Sequence, residues 1–172
     1  MTRPRTFVFA TLALFALAGN ASAQRASIAV GAALPVGDLA DGAGTGLDAQ
    51  LQIRTEPMIG PLSLRLDIGY THLAAKGAGQ ATTISSQDIS IIGDAGSMLY
   101  WTAGLGYYQK SQTVNVFGHT ANESRQYLGA QASAGVNFPV LRWEGFLEVS
   151  GVKLFSPGPT IIYVPVRFGI RL

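Results

Sequence analysis

The chain has no cysteine and very little charge. Of its 172 residues, Asp, Glu, Lys and Arg together make up 13%, roughly half the share of an ordinary soluble domain. Without cysteine there is no disulfide framework and no thiolate metal site, so a fold of this length has to be held by burial and hydrogen bonding. Histidine occurs twice, at His72 and His119. Neither has a cluster of acids beside it, which leaves a poor case for a metal or for histidine-based catalysis. After residue 23 no apolar run reaches the length that a membrane-spanning helix needs, and no helical periodicity is sustained. What the chain does have is glycine, 21 residues, and 48% hydrophobic residues. Low charge with much glycine suits a protein whose outer surface need not face water.

The first 23 residues are expected to be a targeting segment outside the fold. Arg3 and Arg5 precede an apolar run from Phe7 to Leu17, and Ala21-Ser22-Ala23 has the small-residue form of a signal-peptidase site. Cleavage there leaves residues 24–172, beginning at Gln24, as one β-barrel domain. Two of the 12 basic residues and none of the 10 acidic ones lie in the segment, so the remainder is neutral. Its basicity therefore gives no support for nucleic-acid binding.

Residues 24–172 read as strand after strand of period-two alternation. Leu62, Leu64, Leu66, Ile68 and Tyr70 alternate with Ser63, Arg65, Asp67, Gly69 and Thr71. Val164, Val166, Phe168, Ile170 and Leu172 alternate with Tyr163, Pro165, Arg167, Gly169 and Arg171. Similar alternation marks strands around Ile28–Leu34, Leu47–Ile53, Leu99–Tyr107, Leu128–Phe138 and Trp143–Val149, with Ile89 and Ile91 marking a fourth strand of unsettled register. That makes eight strands of about 9–12 residues, the length a tilted strand needs to cross hydrocarbon. The connections are predicted to alternate: Pro35–Thr45, His72–Ser85 and Lys110–Glu123 long, Thr55–Pro61, Ala95–Ser97 and Pro139–Arg142 shorter, and Phe155–Thr160 again a little longer. Long loops then gather at one end, with both termini at the other, the periplasmic side in an outer membrane.

One face of each strand is apolar. The other carries five acids and five bases, Asp48, Arg54, Arg65, Asp67, Asp88, Arg125, Glu144, Glu148, Arg167 and Arg171, among Gly, Ser, Thr and Gln. A balanced set among small residues fits the narrow interior of an eight-stranded barrel, and charge-free stripes fit a lipid-facing exterior. A soluble periplasmic ligand-binding barrel, apolar inside, is the alternative. The aromatic positions Trp101, Phe138, Trp143 and Phe168 near the terminal end, and Tyr70 and Tyr107 near the other, have outward parity and form two girdles. Pairing the last two strands places Glu148 opposite Arg167, and pairing the second hairpin places Gln50 opposite Arg65 with Asp48 diagonal to it. The interior charges Glu148, Arg167, Asp48, Arg65 and Asp67 then either form an ion-pair network or are solvated by water near a mouth. Eight strands leave no open, porin-like aqueous channel.

Three stretches look familiar: Leu34-Pro35-Val36-Gly37-Asp38-Leu39, Tyr100-Trp101-Thr102-Ala103-Gly104-Leu105-Gly106-Tyr107-Tyr108, and Val164 to Leu172. With these the sequence resembles the small OmpA/OmpX-like outer-membrane barrels. The resemblance implies an all-β, eight-stranded antiparallel up-and-down transmembrane β-barrel in a Gram-negative-type envelope. It implies a structural, envelope-integrity or surface-interaction role, and partners in outer-membrane lipid, lipopolysaccharide and the barrel-assembly machinery. In such barrels the terminal strand carries the assembly signal, here Phe168, Gly169 and Leu172, and the chain ends in Leu172 where the pattern has Phe. Some small outer-membrane barrels modify lipid A, but His119-Thr120-Ala121-Asn122-Glu123 does not match the His-x-Ser-Asn pattern of the deacylase barrels. No catalytic residue, cofactor or metal is expected. Gly104-Leu105-Gly106 lacks the third Gly and the helix of a nucleotide loop, and reads as bare backbone covered by an interior aromatic.

Overall fold

The computed structural model describes residues 25–77, 80–96, 98–116 and 119–172, and their side chains outside 113–122. The expected targeting segment 1–23 lies outside the described residues. Eight antiparallel strands run up and down in sequence order: β1 Arg25–Val36, β2 Ala43–Arg54, β3 Leu62–Ala75, β4 Thr82–Ala95, β5 Leu99–Val116, β6 His119–Val140, β7 Trp143–Leu154 and β8 Ile161–Arg171. Pairing of β1 with β8 closes them into a barrel with no free edge in the wall. One helical turn, α1 (Leu39–Gly42), sits in the β1–β2 connection and drops Leu39 into the mouth. Both described chain ends lie at one end of the barrel, called the terminal end below. The β1–β2, β3–β4, β5–β6 and β7–β8 connections form the loop end.

The alternation sets the two faces. Outward positions hold Val30, Leu47 and Leu128 at 57%, 74% and 67% exposure, values that a water-facing wall would make costly and a lipid-facing one makes favourable. Inward positions hold the buried polar residues, among them Gln50, Gln52, Ser63, Thr71, Ser133 and Ser150. The fourth strand runs from Thr82 with Ile89 and Ile91 outward and Ile84 and Ile92 inward.

The structure corrects three expectations about the connections. The strands are 11 to 22 residues long, because much of what reads as loop is paired. β3 and β4 stay in register out to Leu73↔Thr82, and β5 and β6 out to Val116↔His119. Ser, Thr, Gln and Asn favour neither face, so periodicity is silent there while the backbone ladder continues. In the second hairpin Arg54, not Gln50, lies opposite Arg65, and Gln50 faces Gly69. The turn is set off-centre at Gly60-Pro61, where Ile59 bridges Leu62 and Gly60 takes a φ of +55°. The shift is even, so every side chain keeps its predicted face.

Candidate functional site

The lumen is filled in three layers. At the loop end Leu39, Leu73, Ile84, Leu154, Ile161 and Tyr163 form an apolar cluster with Tyr108 and Val152. At the terminal end Ala29, Ile92, Tyr100 and Phe146 form a second, with the Tyr100 and Phe146 rings edge to face at 6.4 Å. Between them lies a polar layer containing Asp48, Arg65, Asp67, Asp88, Glu148 and Arg167, each no more than 5% exposed.

Glu148 is the hub of that layer. It lies opposite Arg167 across β7–β8. Its Oε2 accepts from Arg65 Nη1 at 2.5 Å and from the Tyr100 hydroxyl at 3.1 Å. Its Oε1 accepts from Arg167 Nη1 at 3.4 Å and from Ser150 Oγ at 3.3 Å. Arg65 Nε also donates to Asp67 Oδ2 at 3.0 Å, and Gln131 Nε2 donates to the same oxygen at 3.1 Å. Arg167 Nε pairs with Asp48 Oδ1, whose other oxygen accepts from Thr71 Oγ1 at 2.6 Å. The structure therefore brings Asp48, Arg65, Asp67, Glu148 and Arg167 into one network spanning β2, β3, β7 and β8. Among the described residues Asp88 makes no ion pair and its Oδ1 has no hydrogen-bond partner, and the buried layer holds more carboxylate than guanidinium.

The even balance of five acids and five bases does not survive as an interior property. Arg54 and Arg171 line the terminal mouth, where they pair with Asp94 at 2.7 Å and Glu144 at 2.5 Å. The Arg171 guanidinium also lies over the Tyr100 and Phe146 rings, about 5.5 Å from each centroid. Arg125 stands above the opposite rim, exposed and paired to Glu123 at 2.5 Å. Strand parity cannot report height along the barrel, and height decides which inward charges are sealed. The Asp94 pairing is invisible for a second reason, that its strand has no settled register in the sequence.

The interior aromatics are the second group the pattern missed. Tyr108 lies over Gly129, Tyr100 over Gly135 and Phe146 over Gly169, each on the neighbouring strand. Gly104 and Gly106, the expected bare backbone, are instead met by Ser90 and by the Asp88 carboxylate, their cross-strand neighbours on β4. The two tyrosine rings of β5 lean the other way, toward β6. A readable signal exists in hindsight: an inward-parity aromatic whose neighbour strand offers an inward glycine.

On the exterior, Trp101, Trp143 and Phe168 are exposed near the terminal end, and Phe138 is half-buried with its ring 6.0 Å from Phe168. Tyr70 is exposed in the other half and Tyr107 half-buried there. Gly169 and the exposed Leu172 lie on the closing edge, where the Leu172 N–H donates to Ala26 O at 2.8 Å. His72 faces outward, its Nδ1 3.3 Å from Thr83 Oγ1, and the His119 side chain is outside the described set.

At the loop end β5 and β6 rise past their neighbours. β4 pairs with β5 as far as Gln112, and β7 pairs with β6 only as far as Gly129, so residues 119–128 have no strand on that side. A concavity of about 790 Å³ lies between the inner face of this hairpin and the β7–β8 loop, lined by Lys110, Arg125, Tyr127, Leu128, Phe155 and Pro159 among others. On the outer wall an apolar concavity of about 520 Å³ runs across β2 to β6 and ends at the same Leu128 and Phe155.

No family model matches the chain, and no curated protein matches it. Solved structures do share its fold. Neisserial surface protein A is similar over 87% of this chain and 96% of its own, with a TM-score of 0.61 at 15% identity. Ail, the attachment invasion locus protein of Yersinia pestis, is similar over 87% of this chain and 99% of its own, with a TM-score of 0.64 at 14% identity. The N-terminal β-barrel domain of Pseudomonas aeruginosa OprF is similar over 86% and 97%, with a TM-score of 0.53 at 13% identity. The architecture of the chain is that of the small eight-stranded outer-membrane barrels.

Proposed function

We propose that the chain is an outer-membrane barrel with a structural or surface-interaction role, exported by cleavage after residue 23 and oriented with both termini in the periplasm. The observation that carries this is the contrast between a filled, ion-paired lumen and a tall β5–β6 hairpin at the loop end. A lumen closed by two apolar layers offers solutes no path, and its carboxylates are mostly tied to guanidinium groups. The work is then left to the surfaces, namely the lipid-facing wall and the projecting hairpin with its open β6 edge, which presents backbone donors and acceptors to a partner. The reading assigns no catalytic residue. A lipid A-modifying activity is the alternative, and comparing the masses of lipid A from cells with and without the chain tests it.

Two experiments test the main reading. Fractionation should place the chain in the detergent-extracted outer membrane, and recovery in the soluble periplasm would sink it. Trypsin added to intact cells should cut at the exposed Arg125, and protection of that site would reverse the orientation. Assembly through the terminal strand is part of the same reading. Ile170 and Arg171 pair with Ile28 and Ser27 to close the barrel, so deleting Ile170–Leu172 should abolish insertion. Normal assembly of the truncated chain would remove Leu172 from the signal and refute this requirement.

A further inference from the structure

The three connections at the terminal end carry apolar side chains on the outside. Met58 and Ile59 of the β2–β3 turn and Met98 of the β4–β5 turn are 64%, 77% and 60% exposed, and Leu141 of the β6–β7 turn is wholly exposed. The loop end treats such a residue differently, since Leu39 of the β1–β2 connection is turned into the mouth and buried. The terminal-end tips are held in place by their backbones. The Met58 N–H donates to Leu62 O at 2.8 Å, and the Asn137 N–H donates to Met98 O at 2.7 Å. Leu141 is also held against its own backbone preference. It has a φ of +55°, whereas the other positive-φ residues among those described are glycines. A leucine is strained in that conformation and a glycine is not. An apolar side chain kept there in spite of the strain, and wholly outside the fold, calls for a covering that the chain itself does not supply.

Height along the barrel identifies that covering. Leu141 stands two residues from Trp143 and Met98 three from Trp101. In the β2–β3 turn Ile59 bridges Leu62, whose register runs through Gly93 to the same Trp101. A strand rises about 3.3 Å per residue, and a tilt of about 40° leaves roughly 2.5 Å of that along the barrel axis. Met98 and Leu141 therefore lie about 5–8 Å past the tryptophans of the girdle. The headgroup layer of a bilayer is itself about 5–8 Å thick on each side of the hydrocarbon, so tips at that height have not left it. A concavity of about 500 Å³, lined by Met98, Phe138, Pro139, Leu141 and Trp143 among others, continues the girdle surface onto the tips. Charges of both signs stand at this end. Arg54 and Arg171 pair with Asp94 and Glu144, while Arg25, Arg142 and Glu56 are exposed with no ion pair among the described residues. A layer of phosphate and ammonium groups meets both signs and covers the apolar tips between them.

We propose that the terminal-end turns are a lipid-binding surface, with Met58, Ile59, Met98 and Leu141 seated in the zwitterionic phospholipid headgroups of the inner leaflet and not in periplasmic water. This rests on the reading of the chain as an outer-membrane barrel and goes further by assigning a surface and its partner. The membrane then holds the barrel from the aromatic girdle down to the turn tips.

The test uses the full mature barrel refolded into phosphatidylcholine vesicles. The chain has no cysteine, so one nitroxide can be placed at a time through Ile59→Cys, Met98→Cys or Leu141→Cys. Val30→Cys on the wall gives the lipid reference, and Ser124→Cys on the exposed hairpin gives the water reference. Paramagnetic resonance compares collision with oxygen, which enters lipid, and with a nickel chelate held in water on both sides of the vesicle. The three tips should be severalfold less open to the chelate than Ser124 and should lie within about 8 Å of the hydrocarbon edge. Accessibility equal to that at Ser124 would overturn the proposal. Strain relief at Leu141 offsets a lost contact there, so depth, not stability, is the readout. A second arm combines Ile59→Ser, Met98→Ser and Leu141→Asn, the last suited to the left-handed backbone, and moves the label to Met58→Cys. All four positions lie outside the sealed lumen, and far-ultraviolet circular dichroism verifies that the variant is folded. The Met58 label should become severalfold more open to the chelate than in the parent, and an unchanged value would show that the tips do not hold the turns in the layer. Tips shielded from a water-soluble maleimide in native outer membrane but open to it in pure lipid vesicles would overturn the proposal in favour of a protein partner. A barrel whose Val30 label meets the chelate as freely as Ser124 has not inserted and defeats the underlying reading, whereas an inserted barrel with its tips in water defeats only the surface.

Discussion

Within the barrel wall and within the β5–β6 hairpin above it, the same two strands serve opposite ends. In the wall, Tyr100 and Thr102 point into a filled lumen while Trp101 and Leu105 point outward, so each residue has one environment to satisfy. Above the rim, Gln109, Ser111 and Ser124 bond to one another on an exposed surface. The wall derives its stability from side chains packed and paired across the lumen. The hairpin derives its order from the backbone ladder and the base it grows from. Polar residues in the wall are therefore individually costly to lose, and those in the hairpin are individually replaceable.

Substitutions that remove a wall partner should separate the two regions most sharply. Glu148→Ala leaves the Arg65 and Arg167 guanidiniums short of their shared acceptor and should cost about 3–5 kcal/mol, read as a lower urea midpoint of the refolded barrel. A loss of a few tenths would mean that the layer is wet and the comparison with the hairpin is wrong. Next, Gly169→Ala puts a methyl group against the Phe146 ring and the backbone of β1. It should cost about 1–3 kcal/mol by overpacking. The double variant Gly169→Ala with Phe146→Leu should recover part of that loss, and no recovery would show that β1, not the ring, sets the clash. A gain is expected at the Leu141 turn between β6 and β7. Leu141 has a φ of +55° and is fully exposed, so Leu141→Gly should stabilise the barrel by about 1 kcal/mol. The smallest effect belongs to the hairpin. Replacing residues 113–122 with a two-residue turn should leave the urea midpoint within about 0.5 kcal/mol of the parent, since the shortened strands still pair from Gln112↔Glu123 downward. A large loss there would make the hairpin part of the folding unit.

The Glu148–Arg167 juxtaposition was readable because the β7–β8 loop is short and its hairpin symmetric, so counting outward from Gly158 gives the register directly. The Arg65 environment was not. Its position opposite Arg54 depends on an off-centre turn, and its real partner, Glu148, comes from β7 across the lumen, 83 residues away. Asp67 and Asp88 have the same parity and sit opposite each other on β3 and β4, yet only Asp67 is reached by a guanidinium. Nothing in either local sequence distinguishes them.

By itself the sequence determined the number of strands, their order and which face of each points outward, because a period of two is written residue by residue and survives even an error of register. The tertiary structure alone decided how high each inward residue sits. That height separates a sealed carboxylate at Glu148 from a rim carboxylate at Glu144, and a wall strand from a hairpin that outgrows it. It depends on how the strands stagger as the barrel closes, a property of all eight together that no single strand encodes.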